Sequence, residues 1–322
     1  MREKLKKGIL FGTIGVIFVG LQPIIANSRP EVLDAHIFAA MTCLVESLIF
    51  LPVMMIESRV KQKNLKILNN SSQNNFEKFS VAKNIKKNTL VLIFIGVIFG
   101  LNQLLFFLGY KLAGAINGAL TQKTTVFFGI LFGYILLKEK ITKRQLIFSI
   151  LLFFGLYIAI TQGSLSFFNF KIETLIGVLL LLIISCLWML GHTLTKEIFT
   201  RNEITPTQMV FLRNLIGGLL LFLTYFTYNP VENLLLFANL TNNLFFLAMG
   251  AVYGIGLWFW YKTLSILNVS RATTIFSPTP LITAIFATMI LNEVFTIFHL
   301  IGTMIVILSI IIIMHQQEQI RQ

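Results

Sequence analysis

The sequence predicts an all-α membrane protein whose ten transmembrane helices form two inverted five-helix repeats. Three observations predict it. The composition is too apolar for a soluble domain, the chain divides into apolar runs each long enough to cross a bilayer, and a block in the first half returns in the second. Of 322 residues, 56% are hydrophobic and only 12% are charged, and mean hydropathy is +0.82. Soluble domains carry about 25% charged residues.

Crossing ~30 Å of hydrocarbon takes about 20 helical residues at ~1.5 Å rise each. In chain order the runs cover residues 8–26, 35–56, 88–110, 113–137 and 141–161, then 173–195, 206–228, 242–262, 266–290 and 295–314. The first follows Arg2, Lys4, Lys6 and Lys7, as a secretory leader would. Its apolar part exceeds the ~7–15 residues of a leader, and its loss would unpair the two halves, so it reads as the first helix of the first repeat. Residues 57–87, between the second and third runs, are rich in Lys, Asn, Ser and Gln and contain NNSSQNN. They read as a disordered cytoplasmic linker, with contact of Lys61, Lys63, Lys66, Lys83, Lys86 and Lys87 to anionic headgroups as the alternative. Asn69 and Asn70 form glycosylation sequons that stay unmodified on that side.

The repeated block runs from Tyr110 to Thr142 and again from Tyr261 to Thr296. Each copy opens on Tyr-Lys, passes through small residues, continues as an apolar run and closes on an acid followed three residues later by threonine, Glu139/Thr142 and Glu293/Thr296. The repeats are thus expected to be residues 1–161, including the 57–87 loop, and 162–322. An odd number of helices per repeat inverts the second copy. The basic residues agree. With both termini cytoplasmic, lysines and arginines outside the helices favour the cytoplasmic side by roughly seven to one, with Arg29, Lys111 and Lys171 outside. Topology therefore accounts for the net charge of +13, and nucleic-acid binding does not follow from it. Glu139 lies between Lys138 and Lys140 at a cytoplasmic end, whereas Glu293 lies between Asn292 and Val294 at an outer end.

This arrangement resembles the EamA-type repeat of the drug/metabolite transporter superfamily, whose carriers have ten helices built from two five-helix repeats. In that family the fourth helix of each repeat carries a proline about thirteen residues before a terminal Glu, as Pro280 and Glu293 do; Glu139 matches, but Val126 holds the proline position. Trp188 with Thr195-Lys196, and Arg213 within FLRNLIGGLLL, also match. The resemblance implies a secondary carrier in the cell membrane that exports or exchanges a small organic metabolite by alternating access.

Buried polar groups carry whatever chemistry there is. Lys123 and Glu46 both lie near the midplane, where a charge costs on the order of 2.5–3.5 kcal/mol on insertion scales, so they are expected to pair with each other. The pair reads either as structural or as a substrate or proton site; as a site it suits an amino-acid-like zwitterion. Gln22 beside Pro23, Asn102, Gln103, Asn117, His192, Ser277 and Thr279 thicken that site, while Trp188, Tyr253, Trp258 and Trp260 stack on a substrate or form an interfacial belt. An offset of about 151 residues pairs Asn102 with Tyr253 and Phe107 with Trp258, so one of each pair is expected on a cavity wall. Arg213 reads as an anchor whose stem reaches the headgroups, and Glu139 and Glu293 as helix-end anchors that hold gates.

Gly12, Gly15 and Gly20 lie within the first helix and read as packing positions. Cys43 and Cys186 lie inside apolar runs and read as small core residues, with no disulfide, metal or cofactor implied. The sequence has no HExxH, GxSxG or P-loop, which leaves an enzyme or an ATP-driven pump without residues to work with. Two readings stand beside the zwitterion carrier. One is a carrier of nucleotide-like or phosphorylated metabolites, which would want more than one buried cation. The other is a non-transporting protein, either a scaffold or a retinal-type photoreceptor using Lys123 with Glu46 as counter-ion. The bilayer and a small-molecule solute are the expected partners, and a homodimer is left open.

Overall fold

The computed structural model describes residues 2–71, 81–138, 140–164, 171–267 and 269–320. Regular structure among them is helical throughout: α1 (Arg2–Ser28), α2 (Ala35–Ser71), α3 (Val81–Lys87), α4 (Thr89–Ala113), α5 (Ala115–Thr121), α6 (Thr125–Leu137), α7 (Lys143–Thr161), α8 (Ile172–Thr200), α9 (Pro206–Tyr228), α10 (Leu240–Ile266), α11 (Val269–Ile275), α12 (Thr279–Ile290) and α13 (Ile297–Ile320). Among the described residues nine helical spans are long and apolar enough to cross a membrane, and Ile297–Ile313 is a shorter apolar helix. The chain is a multi-pass integral membrane protein. Leucines such as Leu90, Leu223 and Leu247 point outward from its helices, the surface expected toward hydrocarbon.

Helix starts follow capping chemistry. Thr142 and Thr205 open α7 and α9 with reciprocal boxes, in which the threonine hydroxyl accepts from the N–H of Gln145 or Gln208 and the glutamine oxygen accepts from the threonine N–H. Thr296 opens α13 the same way with a histidine: its hydroxyl accepts from the His299 N–H at 3.2 Å, and His299 Nδ1 accepts from the Thr296 N–H at 3.1 Å. The threonine that follows each repeated acid is therefore the cap of the next helix.

Two expectations are corrected here. The 57–87 segment is not a structureless linker at its ends, because α2 continues to Ser71 and α3 occupies Val81–Lys87. Lys, Gln and Leu are good helix formers, so a polar composition predicted a solvated segment, not an unfolded one. Residues 72–80, with much of NNSSQNN, lie outside the described residues. In addition, the fourth and ninth spans are each interrupted. A single 3-10 turn, Gln122–Thr124, separates α5 from α6, and the turn Phe276–Pro278 separates α11 from α12.

The spans pack in a fixed set of pairs: α1 on α10 and α12, α8 on α4 and α6, α2 on α9 and α10, α4 on α9, α7 on α13, and α5 on α12. Lipid supplies no hydrophobic drive between helices, so close backbone approach takes its place. At the crossing of α4 and α9, a Cβ on Gly217 would lie 2.9 Å from Gly100 Cα, so neither position has room for a side chain. Overpacking of this kind costs about 1–3 kcal/mol. Gly217→Val is therefore expected to lower the thermal midpoint of the purified protein by several degrees, and an unchanged melt would show that α4 and α9 separate without cost. Glu203 ties the α8–α9 loop to α3 and to the start of α4 by accepting from Lys87 Nζ and from Asn88 Nδ2 (2.9 Å).

Candidate functional site

Two aromatic-rich cores fill the bundle. One gathers Phe38, Phe106, Phe107, Phe246 and Tyr253, the other Phe99, Met209, Leu257 and Tyr261, and Trp188 packs against both. Between them lies a cavity of about 110 Å³ lined by Gln22 of α1, Phe99 of α4, Gln122 and Lys123 of the 3-10 turn, Trp188, Met189 and His192 of α8, Arg213 of α9, Tyr253, Leu257 and Trp260 of α10, and Phe276 of the second break. Six of the residues singled out in the sequence as site candidates meet there: Gln22, Lys123, Trp188, His192, Tyr253 and Trp260.

The breaks in the fourth and ninth spans make this wall polar. Lys123 Nζ donates at 2.7 Å to the carbonyl oxygen of Phe276, and the Thr279 hydroxyl donates to the same oxygen at 2.7 Å. The residue four on from Phe276 is Pro280, which has no N–H to give to this oxygen, so the interruption of one span supplies the acceptor and the turn in the other delivers the cation. Interrupted helices that expose backbone near the midplane are how many carriers build a polar site in lipid.

The Lys123–Glu46 ion pair is not formed. Glu46 is fully buried on α2, faces α9, and accepts from Asn214 Nδ2 at 2.6 Å through Oε2. Its Oε1 has no hydrogen-bond partner among the described residues. The retinal reading thereby loses its counter-ion. Arg213 is the second correction. It does not reach toward headgroups but is 2% exposed, with its guanidinium 3.8 Å from the centre of the Phe99 ring, NH1 donating to Tyr261 Oη at 3.0 Å, and Nε donating to Asn214 Oδ1 at 3.3 Å. Cavity and acid are thus linked in series: Arg213 on the wall, Asn214 between, Glu46 behind.

The remaining sequence candidates lie elsewhere. Asn102 and Gln103 are buried on α4 off the cavity, with both polar side-chain atoms of Asn102 unpartnered among the described residues. Trp258 donates to Thr207 Oγ1 at 2.9 Å and carries Lys262 over its ring, so neither Phe107 nor Trp258 reaches the cavity; of the offset pairs only Tyr253 does. Ser277 is buried in the break beside Phe276. Asn117 donates to the Ala113 carbonyl at 3.2 Å, and its Oδ1 meets His299 Nε2 at 3.2 Å in a cluster with Gln162 and Thr296.

Glu293 sits at the far end of α12 and caps the start of α5: Oε1 accepts from the Ala115 N–H at 2.6 Å and Oε2 from the Ile116 N–H at 3.0 Å. Gly114, just before that helix, has φ +82, a conformation that suits glycine. A second cavity, of about 340 Å³, opens beside this contact between Asn27, Arg29, Glu31, Lys111, Gly114 and Glu293. The equivalent acid, Glu139, lies outside the described residues. Reading the sequence alone missed Arg213, Phe99, Gln122 and Phe276 as wall residues; the polar run Thr121-Gln122-Lys123-Thr124 inside an apolar span was the available signal for the break.

Three comparisons bear on these features. The sequence profile of the EamA-like transporter family matches residues 6–161 and 175–315. A Bacillus subtilis (strain 168) protein, described as the uncharacterized transporter YyaM, is 27% identical over 233 residues, covering 70% of this chain and 73% of its own. A crystal structure superposes with a TM-score of 0.64 at 11% identity, covering 98% of this chain and 99% of that one, which is a likeness of fold.

Proposed function

The chain belongs to the EamA-like transporter family, and from that premise we propose that it is a secondary carrier of a small organic anion, working by alternating access of two inverted repeats. The repeat reading has support in the packing. Exchanging each span with its counterpart in the other half, α1 with α8, α2 with α9, α4 with α10, α5 with α11, α6 with α12 and α7 with α13, carries α1–α10 into α8–α4, α1–α12 into α8–α6 and α2–α10 into α9–α4, while α2–α9 and α7–α13 map onto themselves. Both interrupted spans also correspond. Inverted repeats of this kind give two conformations of similar energy, one open to each side.

One observation carries the choice of cargo: Lys123 and Arg213 both line the central cavity, and no carboxylate is among the described residues on its wall. The zwitterion favoured by the sequence needed Glu46 on that wall, and Glu46 lies behind Asn214. Two buried cations among Phe99, Trp188, Tyr253 and Trp260 suit a compact solute with one negative group, a carboxylate or phosphate ester, and an apolar body. The reaction is translocation: the anion exchanges its water for these contacts and is released unchanged on the other side.

The test is binding by the purified protein, followed by tryptophan fluorescence and thermal shift, of benzoate, glucose 6-phosphate, phenylalanine and benzamide. The anions are expected to stabilise the protein and quench Trp188 and Trp260, with phenylalanine and benzamide at least tenfold weaker. Preference for the zwitterion or the neutral amide would sink the anion reading. The orientation proposed is cytoplasmic for both termini, in keeping with the basic residues. In a background without Cys43 and Cys186, an impermeant maleimide added to intact cells is expected to label a cysteine at Asn229 and to miss one at Arg201; the opposite pattern would invert the topology.

A further inference from the structure

We infer that Glu46 is the proton-coupling residue of this carrier, taking up one proton for each anion that binds at Arg213, so that cargo and proton cross together. The inference rests on the anion reading above and adds a role for an acid that does not touch the cargo. Its basis is the series of contacts behind the wall. Arg213 faces the cavity on one side and, through its Nε, the Asn214 oxygen on the other; Asn214 then donates to Glu46 Oε2. A guanidinium can only donate, so it must face the amide oxygen, which leaves the amide nitrogen to donate to Glu46 and fixes the order.

Charge balance determines where the proton goes. Glu46 has no exposure at all, and its neighbours in electrostatic reach are Cys43 on its own helix, Arg213 on α9, and Tyr253 and Tyr261 on α10, with His192 of α8 facing Arg213 from the opposite side. Arg213 is the cation in that set. In the empty carrier it balances Glu46. When a carboxylate or phosphate reaches the guanidinium from the cavity, Arg213 is shared between it and Glu46; Lys123, on the cavity wall, is not among the charges in reach of Glu46, so repulsion between the two anions favours protonating the one that can be protonated internally. Glu46 Oε1, which has no partner among the described residues, is the oxygen that takes the proton. The step balances: a proton enters from the side on which the anion binds, Glu46 passes from carboxylate to carboxylic acid, and on release of the anion to the other side Arg213 again stabilises the carboxylate and the proton leaves. Tyr253 lines the cavity and lies within electrostatic reach of Glu46. Lys123 holds the anion from the other half of the wall, where its ammonium also donates to the Phe276 carbonyl, while the contact that reaches Glu46 is that of Asn214.

The experiment uses the full-length protein and benzoate as probe. Calorimetric titration in two buffers of different ionisation heat is expected to show uptake of about one proton per benzoate in the wild type and none in Glu46→Gln, whose benzoate affinity should also lose its pH dependence of about tenfold per unit. In proteoliposomes an acid-outside gradient should accumulate glucose 6-phosphate, which does not cross a bilayer unaided, in the wild type, while E46Q supports only its exchange. Binding without proton uptake in the wild type, or uptake undiminished in E46Q, overturns the coupling and leaves the anion reading standing. Asn214→Leu keeps both charges and cuts the bridge; it serves where E46Q does not fold, and undiminished proton uptake in N214L overturns the coupling equally. If benzoate does not bind, the cargo reading fails by itself, and the coupling is judged on the unliganded protein by infrared spectroscopy. A protonated-carboxyl band that is lost in E46Q or shifts in its titration in N214L sustains Glu46 as the titrating acid linked to Arg213; a band insensitive to these changes overturns it.

Discussion

Lys123→Met is expected to weaken anion binding roughly 10- to 100-fold while leaving the fold intact, because a hydrogen bond from a charged donor contributes about 1.5–3 kcal/mol and each ~1.4 kcal/mol is tenfold in affinity. The ammonium is buried in the 3-10 turn and donates to the Phe276 carbonyl at 2.7 Å, with no carboxylate partner among the described residues. A charge in that position costs on the order of 2.5–3.5 kcal/mol to insert, so a methionine of similar length should raise the thermal midpoint or leave it unchanged. The ion-pair expectation from sequence predicted instead a stranded Glu46, with either a destabilised protein or a protonated acid. Asn214 holds Glu46 whether or not Lys123 is present, which removes that penalty. Lys123→Arg keeps the charge and should retain most of the affinity. A reading in which Lys123 only pins the two broken spans together predicts a lower melting temperature and an unchanged dissociation constant; melting and benzoate titration of the same sample separate the two.

How much of this was legible in the sequence depends on what each residue pattern encodes. Spans were legible because apolar length is a one-dimensional quantity, and the expected 206–228 and 88–110 recur as Pro206–Tyr228 and Thr89–Ala113. The repeated threonines were legible as a pattern, and their function as caps follows from their place before a helix. Pairing was not. Depth places Lys123 and Glu46 at one level, but which residues meet also depends on the rotation of each helix and on its neighbours: Glu46 faces α9 because α2 packs there, and Lys123 faces the second break because the fourth and ninth spans meet. Arg213 was misplaced for a related reason. A long stem near a helix end can reach water, but Gly217 and Gly218 follow Arg213 and Asn214 at a spacing of four, marking that face as the one packed against α4 and α2. The glycines were the signal that the arginine points inward. The second helix outran its apolar stretch because hydropathy ends at the membrane surface and helix propensity does not.

Glu293→Gln is expected to shift the carrier toward the conformation open at the end where α5 begins, by tens-fold in population. The carboxylate accepts from two successive N–H groups, Ala115 at 2.6 Å and Ile116 at 3.0 Å, which are among the first, otherwise unpartnered, donors of α5. Because Glu293 comes from the end of α12, these bonds tie the ninth span to the fourth, and the adjacent Thr296, Gln162, His299 and Asn117 cluster reinforces the same junction. On the proposed alternating-access cycle, opening that end separates α5 from α12 and breaks both bonds. A glutamine keeps the shape but offers one acceptor oxygen, and its amide N–H groups face the N–H of the residue that lost its acceptor. Losing one charge-assisted bond and weakening the other removes roughly 2–3 kcal/mol from the closed state alone, and an equilibrium moves tenfold for each ~1.4 kcal/mol of difference between its states. Asn27 lines the neighbouring cavity and reports the change: a cysteine placed there should react with an impermeant maleimide at least tenfold faster in Glu293→Gln than in the parent. Benzoate affinity should stay near the parental value, because Glu293 is not on the central cavity wall. Simple capping at a solvated helix end predicts a small loss of stability with no change in that reaction rate, and an unchanged rate at Asn27 would reduce Glu293 to a cap.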